Sequence, residues 1–362
     1  MSRLRFTLAL LFALTFAHTP ALAQLTAPAS VDSIRTETVR TEKTLRIDTP
    51  QTERVIPAIT RPAPASATKT DSLRGTAAML TPAATDWTRI GITAGGLTSA
   101  ITALHIYQLN AWWANQRGKF HVIEDAEYQA NFDKAGHLFG ACYSSYFFDE
   151  AYRWAGVDTA QSALLGALCG AVWEFYVEIE DGFAGDWGFS RGDAKSDITG
   201  AMFYLMNRRI PFLRNFEYKW SYWPSSKLLN NNPDIPGQTM NIIEDYTGQS
   251  YWLSMDLHSA LKDLGIENPW PKWLRVALGA SGAGLGPLDL HSPTGDEFDL
   301  RHIQWMISLD YDLGELIPHS DIGFLDFLRR ALNYWHMPAP AWEFSPEHHF
   351  YVLFPFSLKI GK

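Results

Sequence analysis

Three pairs of ionisable residues recur at a spacing of four in this chain. They are Asp133 and His137, Glu174 and Glu178, and Asp193 and Asp197. On an α-helix that spacing puts both members of a pair on one face, within reach of each other. A histidine gathered with several carboxylates in a poorly solvated place has three uses. The carboxylates shift one another's proton affinity and work with the imidazole as acid and base. Alternatively, Asp133, His137 and Glu174 ligate a divalent metal, which accepts this mixture of nitrogen and oxygen. As a third choice, the groups satisfy one another as a buried polar network. Asp133, His137, Glu174 and Asp197 are the catalytic candidates, because each interrupts an otherwise apolar stretch where an unpaired charge is costly.

The elements that must carry these groups follow from periodicity. Helices are expected at about 87–109, from Asn131 to Tyr152, from Thr159 to Asp181 with Asp158 as its cap, and from after Ser190 to near Asn207, with Pro211 beyond. Gly166 and Gly170 continue the line of Glu174 at spacing four, and Gly136, Gly140 and Ser144 form a second such line. Such ridges let helices approach closely and draw polar groups together. The helices are apolar, yet their uninterrupted stretches fall short of the ~20 residues a membrane span needs. A buried bundle is the first reading, and a membrane-embedded one stays open.

Residues 215–250 read as loop. Beyond them the period becomes two: Tyr251, Leu253 and Met255; Ile303, Trp305, Ile307 and Leu309; Phe350, Val352, Phe354, Phe356 and Leu358; and, more weakly, Leu274 to Leu278. Alternation of this kind marks strands with one buried face. Four strands are too few to close a transmembrane barrel. The expected architecture is α+β, an apolar helical bundle over 86–214 followed by a small antiparallel sheet region over 215–362. That sheet packs on the helices, with a helix near Phe324 to Trp335.

Plainer explanations compete for several residues. Ser190 and Asp193 fit a helix capping box. Glu178, Glu180 and Asp181 fit a solvated helix end. Cys142 reads as core rather than nucleophile, and His105 as an ordinary satisfied histidine. Cys142 and Cys169 either pair or stay as buried small apolar groups. His302, His336, His348 and His349 lack metal-ligand spacing and receive no role.

Arg3 and Arg5, then the apolar run Phe6 to Phe16 and Ala21-Leu22-Ala23, read as a secretory signal peptide over 1–23. No cysteine follows Ala23, so the signal is not of the lipoprotein type. Residues 24–85, rich in Thr, Pro and Ala, read as a disordered linker. Losing Arg3 and Arg5 moves the formal charge from −9 to −11. An acidic chain without a basic block argues against a nucleic-acid partner and against electrostatic adhesion to anionic lipid. The expected location is the periplasm or a membrane-associated envelope site.

The ordered set Asp133-Lys134-Ala135-Gly136-His137, Trp173-Glu174, Asp181-Gly182, Trp187-Gly188-Phe189-Ser190 and Asp193-x3-Asp197-x2-Gly200 resembles the YfiM-type family of predicted periplasmic lipoproteins. That family carries no established activity, so the resemblance implies placement more than mechanism. The absent lipidated cysteine is a departure from it. The same order is more loosely similar to the VanZ-like membrane proteins, which would imply a lipid-linked or glycopeptide-related role. Lys134, Asp181, Trp187, Ser190 and Asp193 belong to these motifs and, with Glu178, are the candidate binding residues. The expected function is a membrane-associated envelope protein whose Asp/His/Glu cluster is structural or binds a lipid headgroup or glycan. The alternative is an envelope hydrolase built on Asp133, His137, Glu174 and Asp197, with or without a metal. No Gly-x-Ser-x-Gly or His-Glu-x-x-His motif supports the enzyme, and no cofactor or oligomeric state is specified.

Overall fold

Asp86 caps the first described helix, its carboxylate accepting hydrogen bonds from the backbone of Thr88 and Arg89 at 2.9 and 3.2 Å. The computed structural model describes residues 86–111, 113, 117–126, 128–185, 187–229, 242–283, 285, 302–356 and 359–360. The expected signal peptide and linker lie outside these residues. Helix α1 spans Trp87–Asn110, α2 Phe132–Trp154, α3 Thr159–Asp181 and α4 Arg191–Arg209. All four stand where periodicity places them. Asp158 caps α3 through Ala160 and Gln161, and Ser190 caps α4 through the backbone of Asp193 at 3.1 Å.

α2 packs on both α3 and α4, which also touch each other. Glycine makes this possible at Gly166, Gly170 and Gly200. A Cβ on Gly170 would lie 2.8 Å from the backbone nitrogen of Ser145, and one on Gly200 would lie 2.2 Å from the carbonyl of Leu138. Both positions press a helix backbone directly against α2. Gly200→Ala should therefore push α4 off α2 and cost about 1–3 kcal/mol, seen as a fall of several degrees in Tm. The exposed neighbour Thr199→Ala serves as the control. Equal melting of the two variants would mean that the helices are not this close.

α1 and α3 are long and apolar enough to cross a membrane, by length and composition alone. They differ in surroundings. α3 is the bundle's own packing helix, whereas only 11% of the apolar window of α1 is buried, leaving Trp87, Ile92, Leu104, Ile106 and Tyr107 exposed.

Strands β1 (Val122–Ile123) and β2 (Phe189–Ser190) form a short parallel pair. The second sheet runs in sequence order through β3 (Phe216–Tyr222), β4 (Gln249–Met255), β5 (Leu274–Ala283), β6 (His302–Tyr311), β7 (Ala339–Ser345), β8 (His349–Phe354) and β9 (Lys359–Ile360). Every pairing in it is antiparallel. The expectation of four strands is too small, and 215–250 is not all loop: β3 lies within it. Helix α5 spans Gly323–Leu332, beginning one residue before the expected Phe324 and ending three short of Trp335. The sheet region meets the bundle through two clusters. One joins Phe132 of α2 with Tyr246 and Tyr251, and the other joins Cys142, Tyr146, Ala167 and Tyr204 with Ala331 and Tyr334.

The sheet leaves a row of large apolar residues exposed. Leu253, Leu278, Ile307, Trp342 and Phe350 stand in register on five adjacent strands, and all five are exposed. The neighbouring row, Ser254, Ala277, Ser308, Ala341 and Tyr351, is buried. Around it lie Lys219 paired with Asp310 at 2.7 Å, Arg275 paired with Asp312 at 3.1 Å, and Tyr351 donating to Glu343 at 3.0 Å. Small residues, these charge pairs and an apolar cluster of Trp252, Met306, Tyr351 and Phe354 fill the buried face. A sheet with one solvated face usually turns polar residues to water, whereas here the row from Leu253 to Phe350 is large, apolar and exposed.

Candidate functional site

His137, one turn into α2, is the centre on which α3 and α4 converge. Its Nδ1 lies 3.0 Å from Asp197 Oδ1, from α4. Its Nε2 lies 3.5 Å from Glu178 Oε1, from α3, and 3.9 Å from Asp193 Oδ2. Glu178 is held from behind, its Oε2 accepting the backbone N–H of Ser190 at 3.0 Å. Glu174 lays its carboxylate over Gly140, where a Cβ would come within 3.0 Å. It offers an oxygen within 4.8 Å of atoms of both His137 and Asp197.

Lys134 organises the other half of the cluster. Its Nζ lies 2.8 Å from Asp125, 2.9 Å from Asp133 and 3.2 Å from Asp193. Ser190 adds a hydrogen bond from Oγ to Asp125 at 2.7 Å, and β1 pairs beside it through Ile123 and Ser190. Asp181 accepts a hydrogen bond from the indole of Trp113. A cavity opens onto Asp125, Asp133, Glu178, Asp181 and Asp193, and its wall includes the aromatic rings of Tyr128, Trp187 and Tyr246.

The charge balance explains the proton affinities. Two cations, Lys134 and His137, face Asp125, Asp133, Glu174, Glu178, Asp181, Asp193 and Asp197. Burial, aided by neighbouring carboxylates, pushes Asp133 up to about 7, Glu174 to about 8, Glu178 to about 9 and Asp181 to about 6. Asp197 is raised by the same burial, opposed by its bond to His137. Burial alone would lower His137, but Asp197, Asp193 and Glu178 outweigh it and hold the imidazole well above its ordinary value. Asp125 goes the other way: its burial is outweighed by Lys134 and Ser190, which keep it below the usual range. Among buried oxygens, Asp193 Oδ1 and Asp197 Oδ2 make no hydrogen bond to any described residue, although the former lies within ion-pair range of Lys134.

The sequence candidates therefore come together, with corrections of detail. The expected metal set of Asp133, His137 and Glu174 is divided. His137 and Glu174 group with Asp197, whereas Asp133 turns toward Lys134 and groups with Asp125 and Asp193. Glu178 and Glu180 are no solvated helix end, since both are buried; Glu180 is tied to Arg117. Of the expected capping box only half forms: Ser190 accepts the Asp193 N–H, but the Ser190 N–H goes to Glu178, which frees the Asp193 side chain to reach Lys134 and face His137. Cys142 and Cys169 are free and buried. His105 meets the hydroxyl of Tyr176 at 2.8 Å and stays outside the cluster.

Asp125, Tyr128 and Tyr246 are additions. Asp125 sits on an irregular segment, where no periodicity points to a face. The hint lay in Ser190, whose hydroxyl both caps α4 and needs an acceptor of its own.

No family model, curated protein or solved structure matches this chain.

Proposed function

We propose that the chain is an exported, membrane-associated envelope protein whose cavity binds the hydroxyl-rich part of an envelope glycan. The observation that carries this reading is the composition of the cavity: carboxylates from four separate segments beside Tyr128, Trp187 and Tyr246. Carboxyl oxygens accept from sugar hydroxyls, protonated carboxyls donate to them, and aromatic faces cover the apolar side of a ring. An anionic lipid headgroup fits worse, because so many carboxylates repel a phosphate. Membrane association is supported by the outward row of Leu253, Leu278, Ile307, Trp342 and Phe350 and by the bare apolar surface of α1. A contiguous apolar patch of this kind marks an interaction surface. Export is supported by the signal-like N-terminus, and placement by the resemblance to the YfiM-type family.

A hydrolase is the second reading, favoured by the His137–Asp197 contact beside a proton-bearing Glu178. It ranks lower because no nucleophile motif of the Gly-x-Ser-x-Gly or His-Glu-x-x-His kind accompanies the pair.

The test has two arms, both on the full chain. In the first, neutral N-acetylglucosamine oligosaccharides are titrated calorimetrically, and Trp187→Ala should weaken binding at least tenfold. No heat from the unaltered chain at millimolar sugar would sink the glycan reading. In the second, the chain should float with zwitterionic phosphatidylcholine vesicles, and Leu278→Glu with Ile307→Glu should leave it at the bottom of the gradient. Flotation indifferent to both changes would remove the sheet face as the membrane contact.

A further inference from the structure

We infer that His137, Glu178 and Asp193 form a binding site for one divalent transition-metal cation, with Asp197 orienting the imidazole from behind. The inference rests on the reading of this cavity as a ligand site and specifies its chemistry.

Geometry comes first. Nε2 of His137 lies 3.5 Å from Glu178 Oε1 and 3.9 Å from Asp193 Oδ2, and one ligand atom from each of the three residues falls within 4.8 Å of the others. A hydrogen-bonded imidazole and carboxylate sit closer than that. Ligand atoms at about 2.1 Å from a tetrahedral metal are separated by roughly 3.4 Å. The first distance already matches such an edge, and the second needs to close by a few tenths of an ångström.

Orientation comes second. The contact of His137 Nδ1 with Asp197 Oδ1 at 3.0 Å keeps the Nδ1 proton on the carboxylate side and turns Nε2 toward Glu178 and Asp193, where a cation would displace the Nε2 proton. A carboxylate behind a histidine in this way is the usual support of a metal-binding imidazole. Glu178 is likewise steadied by the Ser190 N–H, on the oxygen that faces away from the histidine.

Unmet valence is the independent observation. Asp193 and Asp197 are 5% and 0% exposed, and each keeps one oxygen without a hydrogen bond to any described residue. Buried carboxylate oxygens are nearly always satisfied. Lys134, 3.2 Å away, is the cation beside Asp193 Oδ1, and it is already shared between Asp125 and Asp133. A dication held by Asp193 Oδ2, on the His137 side, would add the positive charge that one shared lysine cannot spread over the whole carboxylate cluster. One imidazole with two carboxylates selects a borderline cation such as Zn2+ or Mn2+ over Ca2+, which wants six to eight oxygens. Three protein ligands leave a position open toward the cavity, where a sugar hydroxyl would enter.

The test uses untagged full-length chain stripped by chelator and titrated calorimetrically with ZnCl2, then MnCl2, at pH 7.5 without sugar. One equivalent should bind, with proton release as the imidazole and carboxyls give up their protons. Glu178→Gln, which keeps the shape and removes the anionic ligand, should weaken binding at least tenfold, and Asp197→Asn should do so by about 10–100-fold. His319→Ala, at an exposed histidine–carboxylate pair elsewhere, should leave binding unchanged. No binding of either ion at 1 mM overturns the inference, as does binding that Glu178→Gln leaves intact. Sugar binding that survives in the absence of metal binding defeats the cation site alone, and the converse defeats the glycan reading alone.

Discussion

Lys134→Met is expected to destabilise the chain by about 3–5 kcal/mol at pH 8. The ammonium is 12% exposed and the three carboxylates around it 6–8%, so solvent screens these pairs little. Removing one member of a buried ion network leaves the rest uncompensated, and that costs far more than the pairing itself contributes. Asp125, Asp133 and Asp193 come from three segments, so the loss falls on the place where the β1 exit, α2 and α4 meet. The sign with pH is definite. Asp133 is already raised to about 7 with the lysine present, so its neutral form becomes more favourable without it. Acidification should therefore restore part of the stability, and the deficit should be smaller at pH 5 than at pH 8. Urea denaturation at the two pH values measures this. Arg191→Met, which breaks an exposed pair with Glu124, should cost no more than about 1 kcal/mol. A Lys134 variant as stable as the Arg191 variant would mean that the carboxylates face water.

Glu178→Gln is expected to act in the opposite direction on stability. In metal-stripped protein, burial pushes this carboxyl from 4.5 to about 9. The folded chain then holds a proton that the unfolded chain loses above about pH 4.5. Its contribution is fully present below that value and drains away as pH rises toward 9. Glutamine cannot lose the proton, so the variant should gain little at pH 4.5 and about 1–3 kcal/mol at pH 8, several degrees in Tm. The amide oxygen can keep the Ser190 N–H. Thermal melts across pH 4.5–9 in chelator check the slope. A variant less stable than the parent at pH 8 would contradict the protonated, buried state of Glu178. Gain of stability with loss of metal is the expected pattern for a residue retained for function.

Much of the site was legible because helical spacing is a local property. Asp133 with His137, Glu174 with Glu178, and Asp193 with Asp197 share faces by arithmetic, and their apolar settings demanded partners. What spacing could not supply was the assignment of partners. Asp133 lies one position from Lys134 and turns to it, whereas His137 takes Asp197 from a helix sixty residues away. Asp125 was invisible because it lies outside any periodic element.

The sheet shows the same division. Strands β4, β5, β6 and β8 were readable from their alternation. β3 was missed although Phe216, Tyr218, Trp220 and Tyr222 alternate, because Glu217 and Lys219 between them look like a loop until Lys219 is seen buried against Asp310. Pro340 and Glu343 hid β7 in the same way. Alternation reveals that two faces differ, and it is silent on which one is covered.

The amino-acid order alone determined the four helices, most of the longer strands and the faces on which ionisable groups stand, since propensity, capping and periodicity act over a few residues. Tertiary structure decided that α2, α3 and α4 approach at glycines closely enough to crowd carboxylates around one imidazole, and that the sheet leaves one row of large apolar residues exposed. Both outcomes depend on contacts between residues distant in the chain, where packing and desolvation, rather than local preference, set the energy.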